Sequence, residues 1–289
     1  MPRTYNDVFL KVRKELKAAD VPGYSLEARL LVSAAAGKTK EEFARDMGLY
    51  VNPGFEAKVN ELLARRLTGE PLAYIIGSWE FYGIPINVNR DVLIPRIDTE
   101  VLVSQAIAMA KRLPAGSRVL DLCCGSGCVG LAIAKNLPHV KVVMGDISPE
   151  AMKISRANVV LNKLTSRVTC AVVDARRSPP YSLLGEFDLI VCNPPYIPTQ
   201  DIAWLDRTVR NHEPTLALDG GGDGLEFYKV IVAEWKKILK PEGAFLFECG
   251  IDQAADVTDI LITNGLTRIK QIKDTLGIDR VVVGQFDKR

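Results

Sequence analysis

Residues 119–130 read Val119-Leu120-Asp121-Leu122-Cys123-Cys124-Gly125-Ser126-Gly127-Cys128-Val129-Gly130. A short apolar run of strand type passes through a turn of small residues into the start of a helix. Glycine permits left-handed turn backbone and lets a ligand lie against main chain. A strand that hands over to a helix in this way is the unit of a parallel α/β sheet, whose ligand sits beyond the carboxyl ends of the strands, where strand order reverses. Outward from the loop the rhythm repeats. Strand-like runs fall at Val142-Val143-Met144, Val168 to Val173, Leu189-Ile190-Val191, Phe245-Leu246-Phe247 and Val281-Val282-Val283, with helical stretches between them. The expected fold is α/β, a Rossmann-like and mostly parallel sheet.

Upstream of Arg118 the pattern differs. Thr39 followed by Glu42 is a capping box, Gly48 stops that helix, Asn52-Pro53 supplies a cap and first-turn proline for the next, and Gly69 closes it. Residues 1–72 therefore read as a small helical bundle. Trp79, Phe81, Ile84, Ile86 and Val88 around Gly83 read as a β-hairpin linker over 73–97, which leaves 98–289 as the catalytic domain.

Composition narrows the function classes. Hydrophobic residues make up 47% and charged residues 25%, the balance of a globular chain rather than a disordered one. With 37 basic and 35 acidic residues the formal net charge is +2, too small to draw the protein to nucleic acid through its overall field. The first twenty residues mix acids and bases, and every apolar run is interrupted well short of a bilayer span, so neither export nor a membrane is expected. Six cysteines lie in or beside apolar segments, as free thiols of a reducing compartment do. The expectation is a cytoplasmic monomer with no direct nucleic-acid or membrane partner.

Gly125, Gly127 and Gly130 match the dinucleotide fingerprint literally, with Asp146 at the distance of a ribose-binding carboxylate. Charge distinguishes the ligands. A dinucleotide brings an anionic pyrophosphate to this turn, whereas S-adenosylmethionine brings a sulfonium and an ammonium, which carboxylates attract. Asp121 precedes the turn, and Asp146 and Asp174 each end a later strand. The set Asp121, Cys123, Cys124, Gly125, Ser126, Gly127, Asp146, Ile147, Asp174, Ala175 and Asn193 is expected to hold S-adenosylmethionine. Asp146 would take the ribose hydroxyls, Asp174 with Ala175 would flank the adenine, and the backbone of Cys123 and Cys124 would meet the methionyl part. A lone aspartate at any of these places reads as a helix cap, so the weight rests on the set. Cys123, Cys124 and Cys128 have no knuckle spacing, and only His139 and His212 are present to help them, so no metal is expected.

Phe187 to Cys192 deliver Asn193-Pro194-Pro195-Tyr196 to the carboxyl edge of the sheet. Two prolines fix the backbone and remove two N–H donors, leaving carbonyl oxygens as pure acceptors. The Asn193 side-chain oxygen and the Pro194 carbonyl can hold both hydrogens of a planar NH2 and turn its nitrogen toward a methyl donor, with Tyr196 as an aromatic wall. Catalysis is therefore expected from Asn193, Pro194 and Tyr196, and substrate binding from those three with Pro195. The bland reading is a rigid proline turn after a buried strand.

At this point the chain resembles the HemK/PrmC family of peptide chain release factor glutamine methyltransferases over nearly its whole length. Four stretches carry the likeness: Gly77-Ser78-Trp79-Glu80-Phe81-Tyr82-Gly83, Val92-Leu93-Ile94-Pro95-Arg96-Ile97-Asp98-Thr99-Glu100, the Asp121 to Gly127 loop, and Asn193 to Tyr196. His212-Glu213-Pro214, Gly220 to Leu225 and Phe247-Glu248-Cys249-Gly250 add to it. The resemblance implies a class I S-adenosylmethionine-dependent methyltransferase whose helical domain docks a release factor, whose substrate is the glutamine of a Gly-Gly-Gln loop, and whose by-product is S-adenosylhomocysteine. One departure matters. The family usually has Gly-Thr where this chain has Cys123-Cys124, and a cysteine after Asp-Leu also resembles sister enzymes that modify a ribosomal protein, although those lack the Asp-Thr-Glu stretch. An amino-methyltransferase of DNA or RNA shares the tetrapeptide, a nicotinamide oxidoreductase shares the literal glycine fingerprint, and a non-enzymatic scaffold would have let both motifs decay. Arg96, Asp98 and Glu100 read equally as helix-start pairs or as ligand contacts, and Glu248 as a residue on the sulfonium side.

Overall fold

A computed structural model describes residues 2–287. The amino-terminal helices have ends set largely by their own side chains. α1 (Tyr5–Ala18) begins at Thr4, which exchanges hydrogen bonds with Asp7. α2 (Tyr24–Ala36) ends on left-handed Gly37, and α3 (Lys40–Asp46) begins at the Thr39–Glu42 capping box that the spacing predicts. α4 (Phe55–Leu67) departs from expectation: its N-cap is Gly54 at φ +90°, with no side-chain cap. Asn52 instead forms the turn before it, its carbonyl accepting from the Phe55 N–H. After α5 (Leu72–Ile76) the unit is complete except for one late piece. Its core gathers Val12, Leu16, Leu31, Phe43 and Leu63, with the Tyr5 ring edge-on to Phe43 and Phe55.

Residues up to Ser78 form one compact unit together with Asp206–His212; Trp79–Leu205 and Glu213 onward form the other. In the second unit β1 (Ser78–Phe81) and β2 (Ile84–Asn87) make a hairpin, followed by α6 (Thr99–Ala110). Then come β3 (Arg118–Leu122), α7 (Cys128–Asn136), β4 (Lys141–Asp146), α8 (Pro149–Leu161), β5 (Val168–Val172), α9 (Tyr181–Leu184) and β6 (Phe187–Cys192). α10 (Arg207–His212) is the late piece of the helical unit, and α11 (Glu226–Trp235), β7 (Leu239–Glu248), α12 (Ala254–Thr263), β8 (Thr267–Lys273) and β9 (Asp279–Gln285) finish the chain.

The sheet order is β5-β4-β3-β6-β7-β9-β8, parallel except where β9 meets β7 and β8. Every strand-like run noted in the sequence falls on one of these strands, except that Val173 lies just past the end of β5. β8 corresponds to no such run, and its physics explains why: Thr267-Arg268-Ile269-Lys270-Gln271-Ile272-Lys273 is an exposed edge, and charge on an edge strand discourages pairing with other chains while erasing the apolar signal. Two polar helix residues fasten the hairpin to α8. Asn158 Oδ1 accepts the Asn87 N–H at 2.7 Å and its Nδ2 donates to the Asn87 carbonyl, while Asn162 Nδ2 donates to the Pro85 carbonyl. Chain order reverses at β3, between β4 and β6, so the carboxyl ends of these three strands are where a ligand belongs.

Candidate active site

A cavity of about 270 Å³ opens at those carboxyl ends. Its wall includes Asp121, Cys123, Cys124, Gly125, Ser126, Asp146, Ile147, Asp174, Ala175, Asn193 and Pro195. Of the other residues singled out in the sequence, Gly127, Pro194 and Tyr196 are not part of this wall, although each adjoins a residue of the loop or tetrapeptide that is.

The glycine loop is held by hydrogen bonds from three directions. Cys123 (φ +59°), Gly125 (φ +53°) and Gly127 (φ +80°) all take left-handed backbone. A Cβ on Gly127 would stand 2.9 Å from the Met144 side chain, and one on Gly130 would meet Met144 and the Asp121 carboxylate, so these glycines let α7 lie against β3 and β4. Asp146 Oδ2 accepts the Gly125 N–H and Oδ1 the Ser148 N–H, each at 2.9 Å. From α8, Ser155 Oγ donates to the Gly125 carbonyl and Asn158 Nδ2 to the Ser126 carbonyl. Cys124 is bonded within the fold through both backbone groups, its N–H to the Gly145 carbonyl and its carbonyl from the Gly127 N–H.

Burial governs the charges here. Asp121 is 1% exposed, and its Oδ2 accepts the Gly130 N–H at 2.8 Å in the first turn of α7. Desolvation pushes its carboxyl up to about 7, against that hydrogen bond and with Asp146 adding to the rise. Asp146 is raised by desolvation too, opposed by its backbone donors. Burial holds Cys124 well above the usual thiol value and takes Cys128 up to about 12, which makes them packing groups rather than thiolate ligands. Among the described residues no cluster of three or more His, Cys, Asp or Glu side chains is placed to hold a metal. Asp174 caps the Arg176 N–H and faces Arg176 and Arg177, while the Ala175 carbonyl accepts from buried Trp235.

The tetrapeptide leaves β6 beside this loop. Asn193 Nδ2 donates to Thr99 Oγ1 at 3.4 Å. Pro194 and Pro195 are buried. Tyr196 leans on the hydrophobic core, and its carbonyl accepts from Gln253 Nε2 at 2.9 Å. Downstream the backbone is zipped to the glycine-rich segment: the Ile197 N–H donates to the Leu218 carbonyl and the Gly220 N–H to the Ile197 carbonyl. A Cβ on Gly220 would lie 2.7 Å from the Tyr196 Cα, so glycine is required by this close approach.

The residues left open by the sequence find partners. Arg96 pairs with Glu213, which is 5% exposed and also accepts the Ile94 N–H. Glu100 accepts the Tyr82 N–H, and Asp98 faces Arg280 at 3.7 Å without capping α6. His212 lies in the last turn of α10 in the helical unit, its Nδ1 bonded to the Thr208 carbonyl. Sequence reasoning missed Ser155 and Asn158, although Ser155, Asn158 and Asn162 form a polar stripe at helical spacing on a face otherwise buried with Ala151, Met152 and Val159. It also missed Thr99 as a wall residue, since the residues at the start of α6 read as a helix start.

Comparison with known proteins agrees with this architecture. Residues 97–221 match the model of the methyltransferase small domain, and residues 7–77 that of the PrmC N-terminal domain. A release factor glutamine methyltransferase of Geobacter sulfurreducens is 41% identical, covering 95% of this chain and 94% of its own length. One from Caulobacter vibrioides is 38% identical over 98% of this chain and 97% of its own. A crystal structure of a methyltransferase from Pyrococcus furiosus, 18% identical, covers 79% of this chain and all of that one with a TM-score of 0.52, a likeness of fold. With end-to-end identity at this level, a matching amino-terminal domain and the tetrapeptide set beside an acid-lined glycine loop, the chain belongs to the release factor glutamine methyltransferases, the HemK/PrmC family of protein-(glutamine-N5) methyltransferases.

Proposed function

We propose that this enzyme transfers the methyl group of S-adenosylmethionine to the side-chain amide nitrogen, N5, of the glutamine in the Gly-Gly-Gln loop of a peptide chain release factor, releasing S-adenosylhomocysteine and modulating translation termination. The observation that carries the reading is that Asn193 and the carboxylate-bearing glycine loop border one cavity. The donor set fits this cofactor better than a dinucleotide. Pyrophosphates bind at free helix amino ends, and here the amino end of α7 is already taken by the Asp121 carboxylate. When bound, S-adenosylmethionine supplies an electrophilic methyl carbon on a sulfonium.

Asp146 and Ile147 hold the ribose side, Asp174 and Ala175 flank the adenine, and Asp121 with Cys123, Cys124, Gly125, Ser126 and Gly127 surround the methionyl part. Cys124 does so by shape, because its backbone groups are engaged in the loop. Asn193 Oδ1 and the Pro194 carbonyl accept the two hydrogens of the glutamine carboxamide, and Pro195 lies along its aliphatic stem. An amide nitrogen is a weak nucleophile, because its lone pair is shared with the carbonyl. As N5 gives that pair to the methyl carbon it gains positive charge, and the two oxygen acceptors stabilise this charge before a proton leaves N5. Tyr196, seated on the core, backs the tetrapeptide and keeps both acceptors in place.

Residues 1–72 dock the release factor, 73–97 link the domains, and 98–289 catalyse apart from Asp206–His212, which belong to the helical unit. A translation factor as substrate suits a reaction in the cytoplasm. Among the described residues no helix is long and apolar enough to cross a membrane. The test is mass spectrometry of release factors incubated with the enzyme and labelled donor. One added methyl on the Gly-Gly-Gln glutamine is the expected result. Label on a ribosomal protein instead would move the substrate, and label only on an oligonucleotide would overturn the reading.

A further inference from the structure

We infer that Glu248 is a positioning residue for this reaction: together with Thr99, its buried carboxylate sets which way round the Asn193 carboxamide lies, so that Oδ1 rather than Nδ2 meets the substrate nitrogen. The inference rests on the proposed role of Asn193. The two ends of a carboxamide have nearly the same shape, so only hydrogen-bonding neighbours decide between them. In the tetrapeptide the choice is decisive, because an NH2 presented to a substrate NH2 would set donor against donor.

Glu248 ends β7, the strand beside β6, where Cys192 is paired with Phe247. It is 1% exposed and forms no part of the cavity wall, so it acts through its neighbours rather than on the substrate. Its Oε2 has no hydrogen-bond partner among the described residues, a costly state for a buried carboxyl and one that a folding role alone does not explain. Thr99 and Asn193 both hold the carboxyl toward its ionised form by hydrogen bonding. Thr99 Oγ1 accepts from Asn193 Nδ2. A hydroxyl has one proton, so a Thr99 that accepts from Asn193 sends its own proton to Glu248. The three side chains thus form a polarised cluster in which the Glu248 carboxylate accepts from Thr99 and from Asn193 itself.

That polarity depends on charge. Burial takes the Glu248 carboxyl up to about 7, countered by Thr99, Arg280 and Asn193 and reinforced by Asp98. Arg280, from β9, is divided among Asp274, Asp98 and the Cys249 carbonyl, so it is no dedicated partner for Glu248. Cys128 from α7, Cys249, Tyr196 and Tyr228 from α11 complete the titratable surroundings, and burial holds each in its neutral form. Asp121, on the same cavity wall as Asn193, is raised to about 7 as well, but its carboxylate accepts from the Gly130 N–H in the glycine loop, so Glu248 is the titrating carboxyl bonded to Thr99 and Asn193. Protonated, it becomes a donor to Thr99, the Thr99 proton turns toward Asn193, and the carboxamide is driven to the inverted orientation.

The experiment measures kcat and KM for methylation of a release factor against pH, with S-adenosylhomocysteine binding and thermal unfolding as controls of the fold. At saturating S-adenosylmethionine the wild-type kcat is expected to fall on the acid side with a midpoint near 7, while the titration of Asp121 is read separately in S-adenosylhomocysteine binding. Glu248→Gln removes this limb and lowers the plateau about tenfold or more, in kcat rather than KM. Thr99→Val, which keeps shape and loses the hydroxyl, also lowers the plateau in kcat, and Thr99→Ser restores wild-type behaviour. A wild-type kcat flat through neutrality overturns the inference without need of any variant, and so does an acid limb that persists in Glu248→Gln. A wild type that methylates no release factor removes the proposed function itself. One that does so while Glu248→Gln matches it removes only the positioning role.

Discussion

Replacing Asp121 by asparagine should make the catalytic unit more stable at alkaline pH while weakening its hold on the methyl donor. Desolvation carries the buried Asp121 carboxyl from 3.8 up to about 7. A carboxyl raised in the folded state binds protons more tightly there than in the unfolded chain, so its contribution to stability is full below about 4 and is lost as pH rises through about 7. At 1.36 kcal/mol per unit, a rise of about three units amounts to roughly 4 kcal/mol between those limits. The Asp121→Asn variant carries no such dependence, and against the protonated carboxyl of the wild type its amide costs at most about 1 kcal/mol. The variant should therefore be equal to the wild type or weaker by about 1 kcal/mol near pH 4 and stronger by about 3–4 kcal/mol near pH 8. Urea unfolding followed by the fluorescence of Trp235, which is fully buried in the core of the sheet unit, provides the assay. A stability difference that stays constant between the two pH values would refute the assignment of the buried charge, and full retention of S-adenosylhomocysteine affinity would refute its place in the cofactor site.

Asn193→Ala should lower kcat at least a hundredfold and leave S-adenosylhomocysteine binding nearly intact, measured by single-turnover methylation and calorimetry. Gly127→Ala puts a Cβ into left-handed backbone at φ +80° and 2.9 Å from Met144, so it should cost about 1–3 kcal/mol in unfolding experiments and depress cofactor affinity. Asn158→Ala removes hydrogen bonds to both backbone groups of Asn87 and to the Ser126 carbonyl, for a loss of about 2–4 kcal/mol read by chemical denaturation, with hydrogen exchange rising first at Asn87.

The central strands and the glycine loop were legible because buried parallel strands leave unbroken apolar runs, and left-handed turns leave glycines. The Thr39–Glu42 box was legible because capping is local. Three kinds of feature were not. β8 hides its apolar signal behind the charges that protect a sheet edge. The start of α4 looked capped by Asn52, but only the three-dimensional turn shows that its carbonyl is engaged and that Gly54 begins the helix. The clamp of α8 on the glycine loop and hairpin depends on partners 30 to 77 positions away, which no local pattern encodes. In the site itself, residue types revealed which groups carry chemistry, whereas the engagement of the Cys124 backbone and the seating of Tyr196 on the core depend on register between strands.

α10 has a consequence for dissecting this enzyme. Between Leu205 and Glu213 the polypeptide departs from the sheet-bearing body, contributes one short segment to the helical body, and returns. Clipping the chain after Ser78 thus cuts only one of the peptide connections between the bodies. A fragment expressed from Trp79 onward would carry an orphaned segment shortly after the reacting tetrapeptide, and one ending at Ser78 would lack a piece of its own body. Neither piece is a fair stand-in for the intact molecule, and genetic excision should remove or retain both helical portions together.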